Sequence, residues 1–128
     1  MNREVIYSAE APKPIGPYSQ AIEAGNLVFC SGQIPLDPAT GKLVEGDLAV
    51  QANRIMDNLA AVLKAAHSSL DRTVKLTVYM TDLKDFDALN RTLAERYPKD
   101  PPARAVVQVA ALPKNAVLEI ELTALKNI

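Results

Sequence analysis

Two residues in the C-terminal third of the chain have the chemistry to handle a small acidic substrate. Arg104 stands in the run Pro101-Pro102-Ala103-Arg104-Ala105-Val106-Val107-Gln108-Val109, and Glu119 in Leu118-Glu119-Ile120-Glu121. A guanidinium is rarely buried without an anion to face, because taking its charge out of water is costly. Arg104 lies just after two prolines, at the mouth of an apolar strand, so an anion is expected opposite it. The planar fork of arginine matches a carboxylate with two parallel hydrogen bonds. If the strands carrying Arg104 and Glu119 are antiparallel neighbours, the two side chains meet across a cleft. A carboxylate-binding arginine beside a glutamate that can move protons is a minimal site for an amino or keto acid. The same pair can equally be a structural salt bridge, and the pattern leaves both readings open.

Other residues are weaker candidates. Gly16-Pro17-Tyr18-Ser19-Gln20 puts Tyr18 on a rigid loop, where its hydroxyl can position a ligand and its ring can wall a pocket, although a packed loop tyrosine is the commoner role. Ser31 and Gly32 follow an apolar strand, and a glycine there permits either close approach of a ligand or a β-bulge. His67 is the only histidine and ends a helix, which favours a capping or surface role. Cys30 lies in an apolar strand and reads as a small packed hydrophobe rather than a nucleophile. With one histidine and one cysteine there is no metal-ligand cluster. No Ser-His-Asp arrangement, phosphate loop or dinucleotide fingerprint is visible.

The elements that must position these residues follow from periodicity. Arg3 to Tyr7 reads as a strand, then Pro12, Pro14, Gly16 and Pro17 impose an irregular stretch. Ser19 to Glu23 and Leu27 to Gln33 read as further strands, the second rich in β-formers and apolar on both faces, hence central. Asp37 to Lys42 makes a hairpin-like loop. Asp47 caps a helix from Leu48 to Ala66, with Ile55, Leu59, Val62, Leu63 and Ala66 on its apolar stripe. Val74 to Met80 alternates as a strand. Asp82 caps a second helix carrying Phe86, Leu89, Leu93 and Tyr97, which Pro98 ends. Strands Ala103 to Ala110 and Val117 to Leu125 complete a β-β-β-α-β-α-β-β order. Two helices cover one face of a mixed sheet. The other face carries Glu119, Glu121 and Thr123, and is expected to be buried between subunits.

The bulk numbers set bounds. At 128 residues, residues 1–128 are expected to form a single domain with a real core. The net charge of −1 argues against electrostatically driven nucleic-acid binding. A single cysteine excludes an intrachain disulfide and fits a reducing compartment. No apolar h-region opens the chain and no run reaches about 20 apolar residues. A soluble, cytoplasmic protein without membrane association is expected.

Three separated motifs, in the right order, carry a resemblance to a known family. They are Ile15-Gly16-Pro17-Tyr18-Ser19-Gln20-Ala21; Ser31-Gly32-Gln33-Ile34-Pro35 with Asp37-Pro38-Ala39-Thr40-Gly41; and Pro102-Ala103-Arg104 followed by Val109-Ala110-Ala111-Leu112-Pro113 and Leu118-Glu119-Ile120-Glu121. Over nearly its whole length the chain resembles the Rid (reactive intermediate deaminase) family, in its RidA or YjgF branch. The resemblance implies an α+β, chorismate-mutase-like mixed sheet of about six strands with two helices on one face, assembled as a homotrimer with sites between subunits. It implies cofactor-free hydrolysis of reactive enamines and imines such as 2-aminoacrylate to 2-keto acids and ammonia. Small 2-imino and 2-keto acids are then the ligands.

Residue by residue, Arg104 falls on the family's carboxylate-binding arginine and Glu119 on the glutamate beside the attacking water. Tyr18, Ser31 and Gly32 fall on pocket positions, and Asn90 on an asparagine of the second helix. Val106 replaces a cysteine common in relatives, which removes a thiol from this position but no step of the implied chemistry. Two alternatives come from other classes: an endoribonuclease or translation inhibitor, and a metabolite-binding trimer without catalysis.

Overall fold

The computed structural model of the protein describes residues 2–127. Among these residues the elements run β1 (Arg3–Ile6), β2 (Ala21–Ala24), β3 (Leu27–Gln33), α1 (Leu48–Ala65), β4 (Thr73–Met80), α2 (Phe86–Arg96), β5 (Ala103–Gln108) and β6 (Leu118–Leu125), with short 3-10 turns between. The six strands form one mixed sheet in the order β1-β2-β3-β6-β4-β5. The pairs β1–β2, β2–β3, β3–β6 and β6–β4 are antiparallel, and β4–β5 is parallel. Each helix therefore serves a parallel crossover. α2 joins the adjacent strands β4 and β5, while α1 joins β3 to β4 and leaves the slot between them for β6.

Side-chain alternation decides which face of the sheet the helices cover. Val28, Leu76, Val78, Leu118 and Ile120 point to one side and are fully buried, or nearly so, against Ile55, Leu59, Val62, Leu63, Leu89 and Leu93. Full burial of each such side chain contributes roughly 1.5–3 kcal/mol, so this layer fixes the register of every strand in it. The stripe expected for α1 is buried as read. The expected cap also forms: the Asp47 carboxylate accepts a hydrogen bond from the Val50 N–H at 3.0 Å. α1 ends in a Schellman arrangement, with the Ser68 N–H donating to Leu63 O at 2.8 Å and the His67 N–H to Lys64 O at 3.1 Å. His67 takes the left-handed conformation this motif requires, φ 58°, so its role here is in the cap.

Two expectations are corrected. Asp82 does not cap the second helix; its carboxylate accepts from the Lys84 N–H at 2.9 Å and caps the 3-10 turn Leu83–Asp85, after which α2 starts at Phe86. More important for the site, β5 and β6 are not neighbours. β4 lies between them, so a strand pairing cannot bring Arg104 and Glu119 together. Register then separates them further. Arg104 pairs with Leu76, which pairs with Leu122, and all three stand on the helix-covered side. Glu119 pairs with Tyr79, whose partner on β5 is Val107, on the opposite side.

The uncovered face has an unusual surface for water. Val5 is 64% exposed, Phe29 46% and Val107 40%. Lys75, Thr77, Tyr79, Glu119, Glu121 and Thr123 share this face through the β4–β6 register.

Candidate functional site

The candidate residues collect into two separate half-sites. The first is built at the edge of the sheet, where β5 enters beside α2. Pro101 and Pro102 remove backbone donors and hold the chain extended just before Arg104. The guanidinium is exposed, which corrects the expectation of a buried arginine. Its Nη1 donates to Asn90 Oδ1 at 2.7 Å, and its carbon lies 5.5 Å from the centre of the Phe86 ring. Residues 86 and 90 are four apart on α2 and so share a helix face. One supplies an acceptor and the other a π-surface, so both aim the fork without neutralising its charge. Among the described residues no carboxylate forms an ion pair with Arg104. An internal salt bridge to Glu119 is therefore not formed within the chain. Leu76, Leu93, Tyr97 and Pro102 wall a cavity of about 350 Å³ next to the arginine.

The second half-site is a cleft of about 400 Å³ on the other side of the sheet, where Tyr18, Ser31, Gly32, Glu119 and Glu121 come together. Its shape comes from a β-bulge. Cys30 pairs with Leu122 and Gln33 with Ile120, so Ser31 and Gly32 together oppose Glu121. The two sequence readings of Gly32, bulge and close approach, hold at once. A Cβ on Gly32 would stand 2.9 Å from Cδ of Glu119 and nearer still to Oε2. The missing side chain is what gives the Glu119 carboxyl its place.

The loop bearing Tyr18 is anchored from beneath. Gln20 is buried; its amide oxygen accepts from the Ser8 N–H at 2.7 Å, and its Nε2 donates to Ser8 O at 3.1 Å and Pro12 O at 2.9 Å. Ser31 Oγ donates to Ser19 O at 2.6 Å, tying the loop to the bulge. Ser31 therefore holds the wall of the cleft as well as lining it. The Tyr18 hydroxyl accepts from the Ile15 N–H at 3.2 Å, which leaves its own proton free to donate.

Electrostatics single out Glu119. Partial burial, and then the charge of the neighbouring Glu121, push its carboxyl above the usual carboxylate range. Among the described residues no hydrogen bond satisfies this carboxyl, so it is free to bind and exchange a proton with water or a ligand. Burial pushes the Cys30 thiol up to about 12, so it stays protonated and packs in the core. Val106 also packs against the core cluster rather than opening to either half-site.

Three residues of these half-sites escaped the sequence reading as functional groups. By sequence Phe86 reads as part of the core stripe of α2; its spacing of four from Asn90 is the available signal. Gln20 was visible only as part of a motif. Glu121 gave no signal, because its tie to Tyr79 runs diagonally between β4 and β6.

Comparison with known proteins identifies relatives of the whole chain. The endoribonuclease L-PSP family model matches residues 8–126. A RutC family protein of Pyrococcus abyssi is 48% identical over 127 residues, covering 99% of this chain and 100% of the relative. The chloroplastic Reactive Intermediate Deaminase A of Arabidopsis thaliana is 44% identical over 124 residues, covering 97% of this chain and 66% of that protein. Among solved structures, E. coli TdcF with bound serine superposes with a TM-score of 0.90 at 39% identity, covering 97% of this chain and 99% of that one.

Proposed function

From a chain that belongs to the Rid family, described also as endoribonuclease L-PSP, we propose an enzyme that hydrolyses 2-imino acids, and the enamines from which they tautomerise, to 2-keto acids and ammonia. The observation that carries this reading is the uncompensated Glu119 carboxyl, raised in proton affinity and standing in the cleft that Gly32 leaves open. A relative named as a reactive intermediate deaminase supports it.

The site is completed between copies of the chain. Arg104 and Glu119 lie on opposite sides of one sheet with β4 between their strands. A second copy docked on the open face is therefore needed to bring an Arg104 to a Glu119. That face exposes Val5, Phe29, Val107 and Leu125, apolar area that association would bury. A closed homotrimer with three equivalent interfacial sites satisfies every copy.

The chemistry needs little more than orientation and one proton relay. Arg104, aimed by Asn90 and Phe86, takes the substrate carboxylate in its fork. Glu119 accepts a proton from a water as the water oxygen bonds to the carbon of the protonated imine, giving a neutral carbinolamine. Glu119 passes that proton to the nitrogen and then takes the hydroxyl proton as the carbon–nitrogen bond breaks, so ammonia leaves and the carbonyl forms. General acid–base assistance of this kind is worth roughly 10²–10⁴-fold. No cofactor takes part. Tyr18, Ser31 and Gly32 wall the cleft, the Tyr18 hydroxyl being placed to donate to the ligand.

Cleavage of RNA fits less well. The Glu119–Glu121 cleft is anionic where a phosphate backbone needs cations, and the chain carries a net charge of −1. The deciding experiment is a coupled assay. A serine or threonine dehydratase generates the imine, and pyruvate or 2-ketobutyrate release is followed with and without this protein. Acceleration of keto-acid release supports the reading; an unchanged rate at stoichiometric protein overturns it.

A further inference from the structure

Glu121 shares the cleft with Glu119 but has a different attachment. The two stand two residues apart on β6 and point to the same face, which places their backbones about 7 Å apart. Tyr79 is the register partner of Glu119 on β4, yet its hydroxyl reaches diagonally and donates to Glu121 Oε1. One carboxylate of the pair is thus held by a hydrogen bond and the other is left free. A phenol that donates to a carboxylate fixes that carboxylate in place. The phenol itself is pushed to a higher proton affinity, first by this hydrogen bond and then by burial and the charges of Glu121 and Glu119, so it remains a donor.

We propose that Glu121, fixed by the Tyr79 hydroxyl, is a positioning residue for Glu119: its carboxyl is held in the cleft wall, which leaves the free carboxyl as the member of the pair that takes up and releases the proton. The inference rests on the catalytic reading of Glu119 and adds the reason why two neighbouring carboxylates do not play the same part. Two carboxyls held this close do not ionise independently, and the one without a donor is left free to exchange its proton with water or a ligand. The groups facing Glu119 from the surrounding elements are few. β4 offers Tyr79 and, further along, Lys75. β6 offers Glu121. The bulge of β3 offers the uncharged Ser31 and Gly32. The loop before β2 offers Tyr18, and Lys114 follows the Pro113 that lines the cleft. Lys75 forms no ion pair with either glutamate within the described residues. Within one copy of the chain the charge that acts on Glu119 is therefore Glu121; in the assembled site the Arg104 of a second copy is the other charge brought to it.

The test is a titration that does not depend on catalysis. The protein is labelled with ¹³C at the glutamate side-chain carboxyl, and the Glu119 and Glu121 signals, assigned through the Gln variants, are followed with pH. In Glu121→Gln the Glu119 midpoint is expected to fall by about half to one pH unit, the coupling of two charges at this spacing in a partly exposed site. Glu121→Asp, which restores the charge, is expected to recover at least half of that displacement. In Tyr79→Phe the Glu119 midpoint is expected to fall as well, because the Glu121 side chain is no longer held in the cleft wall. In the imine assay, the acidic limb of kcat/KM should move with the Glu119 midpoint in each variant. A Glu119 midpoint unmoved in Glu121→Gln, in protein that keeps its oligomeric mass, overturns the proposal. If Glu121→Gln does not fold, the Tyr79→Phe and Glu121→Asp titrations decide it by the same criterion. An inactive parent would remove the catalytic reading, and the titration would still decide the coupling.

Discussion

Substituting Gly32 by alanine should separate folding from chemistry. The backbone at Gly32 does not need the left-handed region, so alanine meets no conformational penalty there. The added Cβ would instead stand 2.9 Å from Glu119 Cδ and 3.2 Å from Cγ. Both distances are shorter than ordinary van der Waals contact, and the atoms in the way belong to the far end of a flexible side chain. Glu119 yields by rotating, and an off-rotamer side chain costs roughly 0.5–1.5 kcal/mol. Thermal unfolding should therefore shift only slightly. Turnover should fall far more, because a displaced carboxyl no longer reaches the attacking water, and losing general acid–base help costs about 10²-fold or more. Binding of pyruvate should persist, since Arg104 is untouched. The measurements are the coupled dehydratase assay, calorimetric titration with pyruvate and a melting curve. Turnover within about threefold of the parent would refute the argument that the space above Gly32 exists for Glu119.

Arg104→Lys keeps the charge but loses the fork, so kcat/KM for carboxylate substrates should drop about 10- to 100-fold with the fold intact; a variant as fast as the parent places the carboxylate anchor elsewhere. Glu119→Gln should lower turnover by about 10²-fold or more while pyruvate still binds, and unchanged acceleration would remove Glu119 from the chemistry. The same variant carries a stability signature. A carboxyl whose proton affinity is raised on folding contributes stability below the ordinary carboxylate range and loses it as pH rises through its folded value. Glu119→Gln should therefore melt higher than the parent at neutral pH, with the gap closing towards pH 4; a gap independent of pH would contradict this. Light scattering in dilute solution should give about three times the 13.8 kDa chain mass, and an active monomer would exclude interfacial sites.

Much of the architecture was legible because it is written in local chemistry. The period of the apolar residues between Leu48 and Ala66 marks a helix whatever surrounds it, and Asp47 caps it through a contact only three residues away. The alternation of Leu118-Glu119-Ile120-Glu121 marks a strand with one buried face, and the pleat alone assigns Glu119 to the other. Arg104, Glu119, Tyr18, Ser31, Gly32 and Asn90 were recognisable from residue type and motif. Their grouping was not. Whether β5 and β6 are neighbours depends on which strand fills the slot between β3 and β4, and that is settled by burial across the whole helix-facing layer. Inserting β6 there buries Leu122 between Cys30 and Leu76 and sets Ile120 beside Val78, and it also separates Arg104 from Glu119 by a strand and by a face. The exposure of Arg104 follows from the same placement, because β5 became the edge. The pairing of Tyr79 with Glu121, which distinguishes two identical carboxyls, joins residues 42 apart in the chain. Contacts of that range exist only once the sheet has formed, because neither strand alone fixes the register that lets one hydroxyl reach the more distant of two glutamates.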